Sequence, residues 1–211
     1  MKFSKIMILF SVFICILFIN CSTTYIVHEI DPALDVFISK KRYGIILVLL
    51  AEDNRKNDMN IPNFDRTWGY LTDRGMYNNI LTSKNNFNSV VADIIVNALS
   101  ACGYDSEIMI ENNNNENDNV TIIKPIINEF WVEGRSKGLA YVTISTVIDV
   151  KLVTLKGESD QRPFDISVKI EDEQRKGCFS MSQAVDATID VCSENIEKFK
   201  SLLVNKISEA K

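Results

Sequence analysis

Few side chains in this sequence could start a reaction. Its candidate bases and nucleophiles are one histidine, His28, and five cysteines. Cys15 and Cys21 fall in an apolar N-terminal leader, which leaves Cys102, Cys178 and Cys192 for the body of the chain. These three form no C-x-x-C pair and no Cys/His group, so no metal site is expected from them. Three is an odd number, so a disulfide framework is not expected, although one bridge with one leftover thiol stays open; Cys102 and Cys192 fall on apolar helical stripes, where a free thiol acts as a small hydrophobe. A Ser or Cys nucleophile needs a base beside it, and His28 lies in the N-terminal segment, outside the expected domain. No G-x-S-x-G, P-loop or G-x-G-x-x-G stretch occurs. The 28 acidic residues offer no placed pair of carboxylates for glycoside chemistry. The oxygen-rich tract from Glu111 to Asn119 lacks the spacing of a calcium loop. The expectation is therefore no catalytic residue, no metal and no cofactor.

Two groups remain. Asp53 and Arg55 follow a buried-looking apolar run, at the strand end where α/β sheets often bind ligands, but the ordinary use of such a pair is a structural ion pair. Further on, Arg66, Trp68, Tyr70, Arg74 and Tyr77 have the composition of a protein-contact surface, together with Phe64. Phe64, Trp68 and Tyr70 look exposed. The same rings could instead fold their segment back onto the domain, and both readings stay open.

These residues need a body to position them. Hydrophobic residues make up 46% and charged residues 24% of 211, enough for a real core and in keeping with one domain. The net charge of −5, from 23 basic and 28 acidic residues, comes with no basic tract, so nucleic acid is a poor partner.

Ile45 to Leu50 is continuously apolar, as in a central strand covered on both faces. Residues 52–82 read as a long loop or small excursion. Phe87, Val90, Val91, Ile94, Ile95, Ala98, Leu99 and Cys102 share one helical stripe, with Thr82 or Ser83 as cap and Gly103 as terminator. A short strand follows from Tyr104 to Ile110. A bent strand spans about 120–132, bulged near Pro125, and Gly134 to Gly138 forms the turn after it. Ala140 to Lys151 and Phe164 to Glu171 alternate apolar and polar, as in an antiparallel sheet with one covered side. Ser180 and Gln183 stand in capping-box register before a stripe from Met181 to Ile207. The predicted fold is α+β: a single mixed, largely antiparallel sheet covered by two amphipathic helices, in the order β-α-β-β-β-β-α.

The first twenty residues read as an address. Lys2 and Lys5 precede an apolar run from Ile6 to Ile19, which as a helix rises about 21 Å and falls short of a hydrocarbon core of roughly 30 Å. The run ends at Leu17-Phe18-Ile19-Asn20-Cys21, which resembles the lipobox of bacterial lipoproteins. That resemblance implies cleavage after residue 20 and acylation of Cys21, with residues 21–43 as a tether that includes a first edge element. The alternatives are a leader cleaved nearby without acylation and an uncleaved anchor. Cleavage removes Lys2 and Lys5 and no acid, leaving 21 basic against 28 acidic groups. A body so acidic does not seek anionic lipid by itself, so the acyl chains would be the link to the membrane. Ser22 after the cysteine favours the outer over the inner membrane of a bacterial envelope.

The order of elements is similar to the YajG-like family of envelope lipoproteins and to the wider group with a penicillin-binding-protein-activator or curli-secretion-type α/β domain. The matching features are Cys21, the strand Ile45–Leu50 with Asp53-Asn54-Arg55 after it, the helix ending in Gly103-Tyr104, the strands from Val120 to Ile170 and the helix Ser180–Ile207. The resemblance implies a domain over 44–211, with insertions at about 52–82 and 111–119. It implies location and fold more than activity. The expectation is a non-catalytic interaction or structural module in contact with another envelope protein, its oligomeric state open; the alternatives are a subunit of a secretion or pore complex and, behind that, an envelope hydrolase.

Overall fold

The computed structural model describes residues 23–34, 43–57, 60–73, 76–109, 120–136, 140–156 and 165–210. Among these the chain runs through β1 (Thr24–Val27), β2 (Ile45–Leu49), β3 (Glu52–Asp53), a 3-10 turn (Phe64–Arg66), β4 (Thr67–Asp73), β5 (Met76–Thr82), α1 (Phe87–Ala101), β6 (Asp105–Met109), β7 (Val120–Ser136), β8 (Tyr141–Lys156), β9 (Ile166–Gly177) and α2 (Met181–Glu209). The fold is α+β, a single mixed sheet with two helices. Its longest ladders, β7–β8 and β8–β9, are antiparallel, while β7 takes β2, β3 and β4 in parallel.

The axis of the sheet is β7. Period-two burial marks it on both sides of a phase change: Ile123, Pro125 and Ile127 are buried in its first half, then Phe130, Val132 and Gly134 in its second. The register with β8 skips Asn128, and this extra residue moves the buried set from odd to even positions. Pro125 lies within the β8 ladder, opposite Leu152, and falls between the stretches that pair with β2 and β3. The strand also runs further than its sequence suggests, through Ser136, because Gly134 serves close packing and not a turn. A Cβ on Gly134 would lie 2.8 Å from Thr188 Oγ1 of α2 and collide with Leu71.

Beyond β7 the sheet divides. β2 pairs outward with β6, and β4 pairs outward with β5 and then β1. Five strands therefore precede α1 where the sequence pattern predicts one. Residues 52–82 are not a loop but contribute β3, β4 and β5; these strands were hidden because β3 has only two residues and register shifts break the alternation of β4.

α1 turns its stripe from Phe87 to Leu99 into the core. Its N-cap is Asn86, not Thr82 or Ser83: Thr82 closes β5, and the Ser83 hydroxyl donates to the Asn85 carbonyl at 2.5 Å. At its other end Gly103, at φ 92°, donates to the Ser100 carbonyl at 2.9 Å and Tyr104 to the Leu99 carbonyl at 3.0 Å, the paired bonds of a Schellman end. α2 starts on Ser180, whose hydroxyl accepts the Gln183 N–H at 3.2 Å, while Gln183 Oε1 accepts the Phe179 N–H at 2.7 Å. Its buried face holds Val185, Thr188, Cys192, Ile196, Phe199, Leu203 and Ile207. The segment after β1 straps both helices, with the Pro32 carbonyl accepting from Asn97 of α1 at 2.9 Å and the Ala33 carbonyl from the buried Lys200 of α2 at 2.7 Å.

Candidate functional site: a guanidinium cage beneath an aromatic cleft

Where the ladder along β7 passes from β3 to β4, a side chain takes over from backbone pairing. The Asn54 N–H donates to the Ile127 carbonyl at 2.9 Å and holds the chain beside β7, which turns Arg55 inward. The Arg55 side chain is fully buried, and its guanidinium meets Asp53 as a fork, Nε to Oδ1 at 2.8 Å and Nη2 to Oδ2 at 2.7 Å. The remaining donors reach the carbonyls of Thr67 at 2.7 Å, Phe130 at 3.3 Å and Phe64 at 3.3 Å. Three rings enclose it, with its carbon 4.6 Å from the centre of Phe87, 4.9 Å from Phe64 and 5.1 Å from Trp131. Only a planar, always-charged group can make a fork to a carboxylate, serve several carbonyls and stack on rings at once, so lysine is no substitute here. Asp53 and Arg55 are thus a structural pair that ties β3, the 3-10 turn, β4 and β7 together.

Above this cage, on the sheet face away from the helices, lies a cleft of about 430 Å³. Trp131 and Val147, directly opposite each other on β7 and β8, give it apolar surface, and Tyr70 of β4 adds a ring 6.2 Å from Trp131. Asn54, Lys56, Asn128, Glu129, Glu133 and Ser145 supply polar groups around these. Glu133 is held by Arg135 through two bonds of 2.6 Å, and that contact raises the Arg135 pKa above its ordinary value. Lys56 and Asn128, by contrast, make no side-chain hydrogen bond among the described residues. An aromatic floor with amide, carboxylate and ammonium groups around it is equipped to hold a polar partner by stacking and hydrogen bonds. A wider groove of about 840 Å³ runs between β9 and α2, but its rim charges pair among themselves, Lys169 with Glu171 at 2.6 Å and Lys198 with Glu194 at 3.0 Å.

The residues marked out in the sequence do not gather as one surface. Tyr70 lines the cleft, and Phe64 packs on Trp131 at 5.2 Å. The expected exposure of Trp68 is corrected: it is 0% exposed. Trp68 and Tyr70 would share a face in a regular strand, but the register shift between Thr67 and Gly69 sends Trp68 into the main core and leaves Tyr70 on the outer face. Tyr70 is itself only 8% exposed. Arg66 is half exposed and donates to Asn86 at the start of α1 at 3.2 Å. Tyr77 pairs with Thr72 in the β4–β5 ladder. Arg74 and Cys21 lie outside the described residues, as does the Asn-rich tract from 111 to 119.

His28 also needs correction, since it belongs to the body: its N–H donates to the Thr82 carbonyl at 2.9 Å and its ring meets Trp68 edge-on at 5.9 Å. Cys102, Cys178 and Cys192 are buried and form no disulfide with one another, and burial pushes the Cys192 thiol far up, so it stays protonated at neutral pH. Trp131 and Asn128 escaped the sequence reading. The signal that could have found Trp131 is its place between Glu129 and Glu133 on the polar face of a strand, where one of only two tryptophans is out of pattern. Among the described residues no group of three His, Cys, Asp or Glu side chains converges on one point, and no helix is long and apolar enough to cross a membrane.

No protein-family model matches the chain, and no curated protein matches it. Solved structures similar to it include a Xanthomonas campestris protein of the family DUF330, at 10% identity and TM-score 0.47, covering 89% of this chain and 100% of that one. Another is a Helicobacter pylori protein described as a homolog of a neuraminyllactose-binding hemagglutinin, at 10% identity and TM-score 0.46, covering 86% of this chain and 100% of that one. A third, an uncharacterised protein, has 11% identity and TM-score 0.37 over 89% of this chain.

Proposed function

We propose that the chain is a lipid-anchored protein of a bacterial envelope, related to YajG-like lipoproteins, that acts by binding and not by catalysis. In this reading Cys21 is the acylated first residue of the mature chain, the outer membrane is its seat, and the cleft over Trp131 and Tyr70 receives another envelope protein. The observation that carries the reading is the leader: an apolar run with basic residues before it ends at Cys21, and β1 begins three residues later. The cleft supports the second half, because its aromatic surface is flanked by Lys56 and Asn128, polar side chains that the fold does not use.

Crosslinking in the native envelope tests this, comparing the parent with a Lys56→Ala, Asn128→Ala variant. Both residues are exposed, so the variant should keep its circular dichroism spectrum while losing a crosslink to another envelope protein. Crosslinks fully retained by the folded variant would put the contact surface elsewhere. A closed homo-oligomeric ring that survives the substitutions would favour the pore reading.

A further inference from the structure

The anchor and the sheet together determine which end of the molecule meets the membrane, an inference that rests on the acylation of Cys21 proposed above. Cys21 is three residues from Thr24, and at 3.3–3.6 Å per extended residue its Cα can reach no further than about 11 Å from the start of β1. No room is left for a long tether, so the body must sit against the headgroups.

The register shows which end that is. Thr24 pairs with Asn79, Asn79 with Leu71, Leu71 with Gly134, Gly134 with Ile144 and Ile144 with Gln174, a line across six strands of the sheet. β1 starts on the side of this line where β7 runs out at Ser136, β8 begins at Tyr141 and β9 finishes at Gly177. Beyond the line stand Arg175 and Lys176, with Arg135 held by Glu133 and with Asp186 on the first turns of α2, in a chain whose acids outnumber its bases. Arg175 stacks on Tyr141, its guanidinium carbon 3.4 Å from the ring centre, which keeps the charge at the rim. One residue past Cys178, whose N–H donates to the Ala140 carbonyl at 3.2 Å, Phe179 is 81% exposed, the most exposed large apolar side chain among the described residues. Its backbone is fixed by the Gln183 bond at the start of α2.

We infer that this end of the sheet is a membrane-contact surface, with Arg175 and Lys176 against the phosphates of anionic lipid and Phe179 inserted at the acyl boundary. The acyl chains on Cys21 hold the protein at the membrane, and basic side chains with an apolar residue beside them fix which end of the body faces it.

The test uses the full lipidated protein carrying Phe179→Trp, in vesicles of phosphatidylcholine and phosphatidylglycerol with and without bromine on the acyl chains. Trp68 is buried in the core and Trp131 lies on the outer sheet face, so the parent's emission should be indifferent to bromine. The emission added by the substitution should be mostly quenched, and a further Arg175→Glu, Lys176→Glu change should relieve that quenching. Intact mass on the same sample separates the outcomes. Acyl mass on Cys21 without quenching overturns this inference and leaves the anchor reading standing, whereas an unmodified Cys21 overturns both. Quenching that ignores the charge reversals removes the basic residues from the contact.

Discussion

Along one edge β7 pairs with a single strand, β8, from Ile122 to Ser136; along the other it is met in turn by three pieces, β2 at Val120–Ile123, β3 at Ile126–Ile127 and β4 at Val132–Ser136. The first edge is local in sequence and stays paired through its register shifts at Ile122/Ile123 and at Asn128. The second gathers strands from 45 to 73 with gaps between them, and in the gap between β3 and β4 the Phe130 carbonyl of β7 faces no strand. Arg55 serves it instead, together with the carbonyls of Thr67 and Phe64. The comparison shows how a broken ladder is repaired by one multidentate side chain, and why that side chain must be a buried, ring-enclosed arginine.

The sharpest way to break this account is Arg55→Ala. It leaves the Asp53 carboxylate without its partner and takes the donor from the Thr67, Phe130 and Phe64 carbonyls, so the expected loss is about 3–5 kcal/mol, as for other buried pairs broken on one side. Against a typical total of about 5–15 kcal/mol that is severe, and denaturant unfolding would read it. Hydrogen exchange in the variant should rise along β3 and β4 before it rises along β8. A loss below about 1 kcal/mol would mean that the β2–β3–β4 edge does not depend on the cage.

Gly134→Ala probes the place where β4, β7 and α2 approach most closely. The new methyl meets Thr188 and Leu71, so about 1–3 kcal/mol of overpacking is expected in the same unfolding assay. An unchanged midpoint would show that α2 yields without cost.

On the β8–β9 side the smallest effect comes from Asp172. Hydrogen bonds from Gln174 at 2.8 Å and from the fully buried Asn195 at 3.0 Å hold its carboxyl below the usual range. A pKa lowered by folding gives stability that is present above the unfolded value of about 3.9 and disappears as pH falls through the folded one. The parent should therefore weaken below about pH 4, and Asp172→Asn, which keeps an acceptor for Asn195 but no charge, should weaken less steeply there. Equal slopes for the two proteins would remove Asp172 from the acid response.

The same comparison explains how much could be read from the sequence. β8 and β9 were legible because Val142, Ile144, Ile148 and Val150 alternate without a break, as do Ile166, Val168 and Ile170, and the helices because their stripes are long and well capped. The β4 side was not. Its bulge at Trp68 and the extra Asn128 in β7 each shift the phase by one residue, and a phase shift makes two correct half-patterns look like an irregular segment. The cleft was missed for the same reason: it assembles Asn54, Tyr70, Asn128, Trp131 and Ser145 from separate strands around those two irregularities. The ion pair of Asp53 and Arg55 was legible from its spacing, but its burial under three rings was not.

The central claim, that this is an anchored binding body, meets its most direct test in the intact mass of the protein extracted from the membrane fraction. The account predicts a chain that begins at Cys21, has lost residues 1–20 and carries added acyl mass. A chain that keeps its leader, or begins at or near residue 21 with an unmodified thiol, would contradict it.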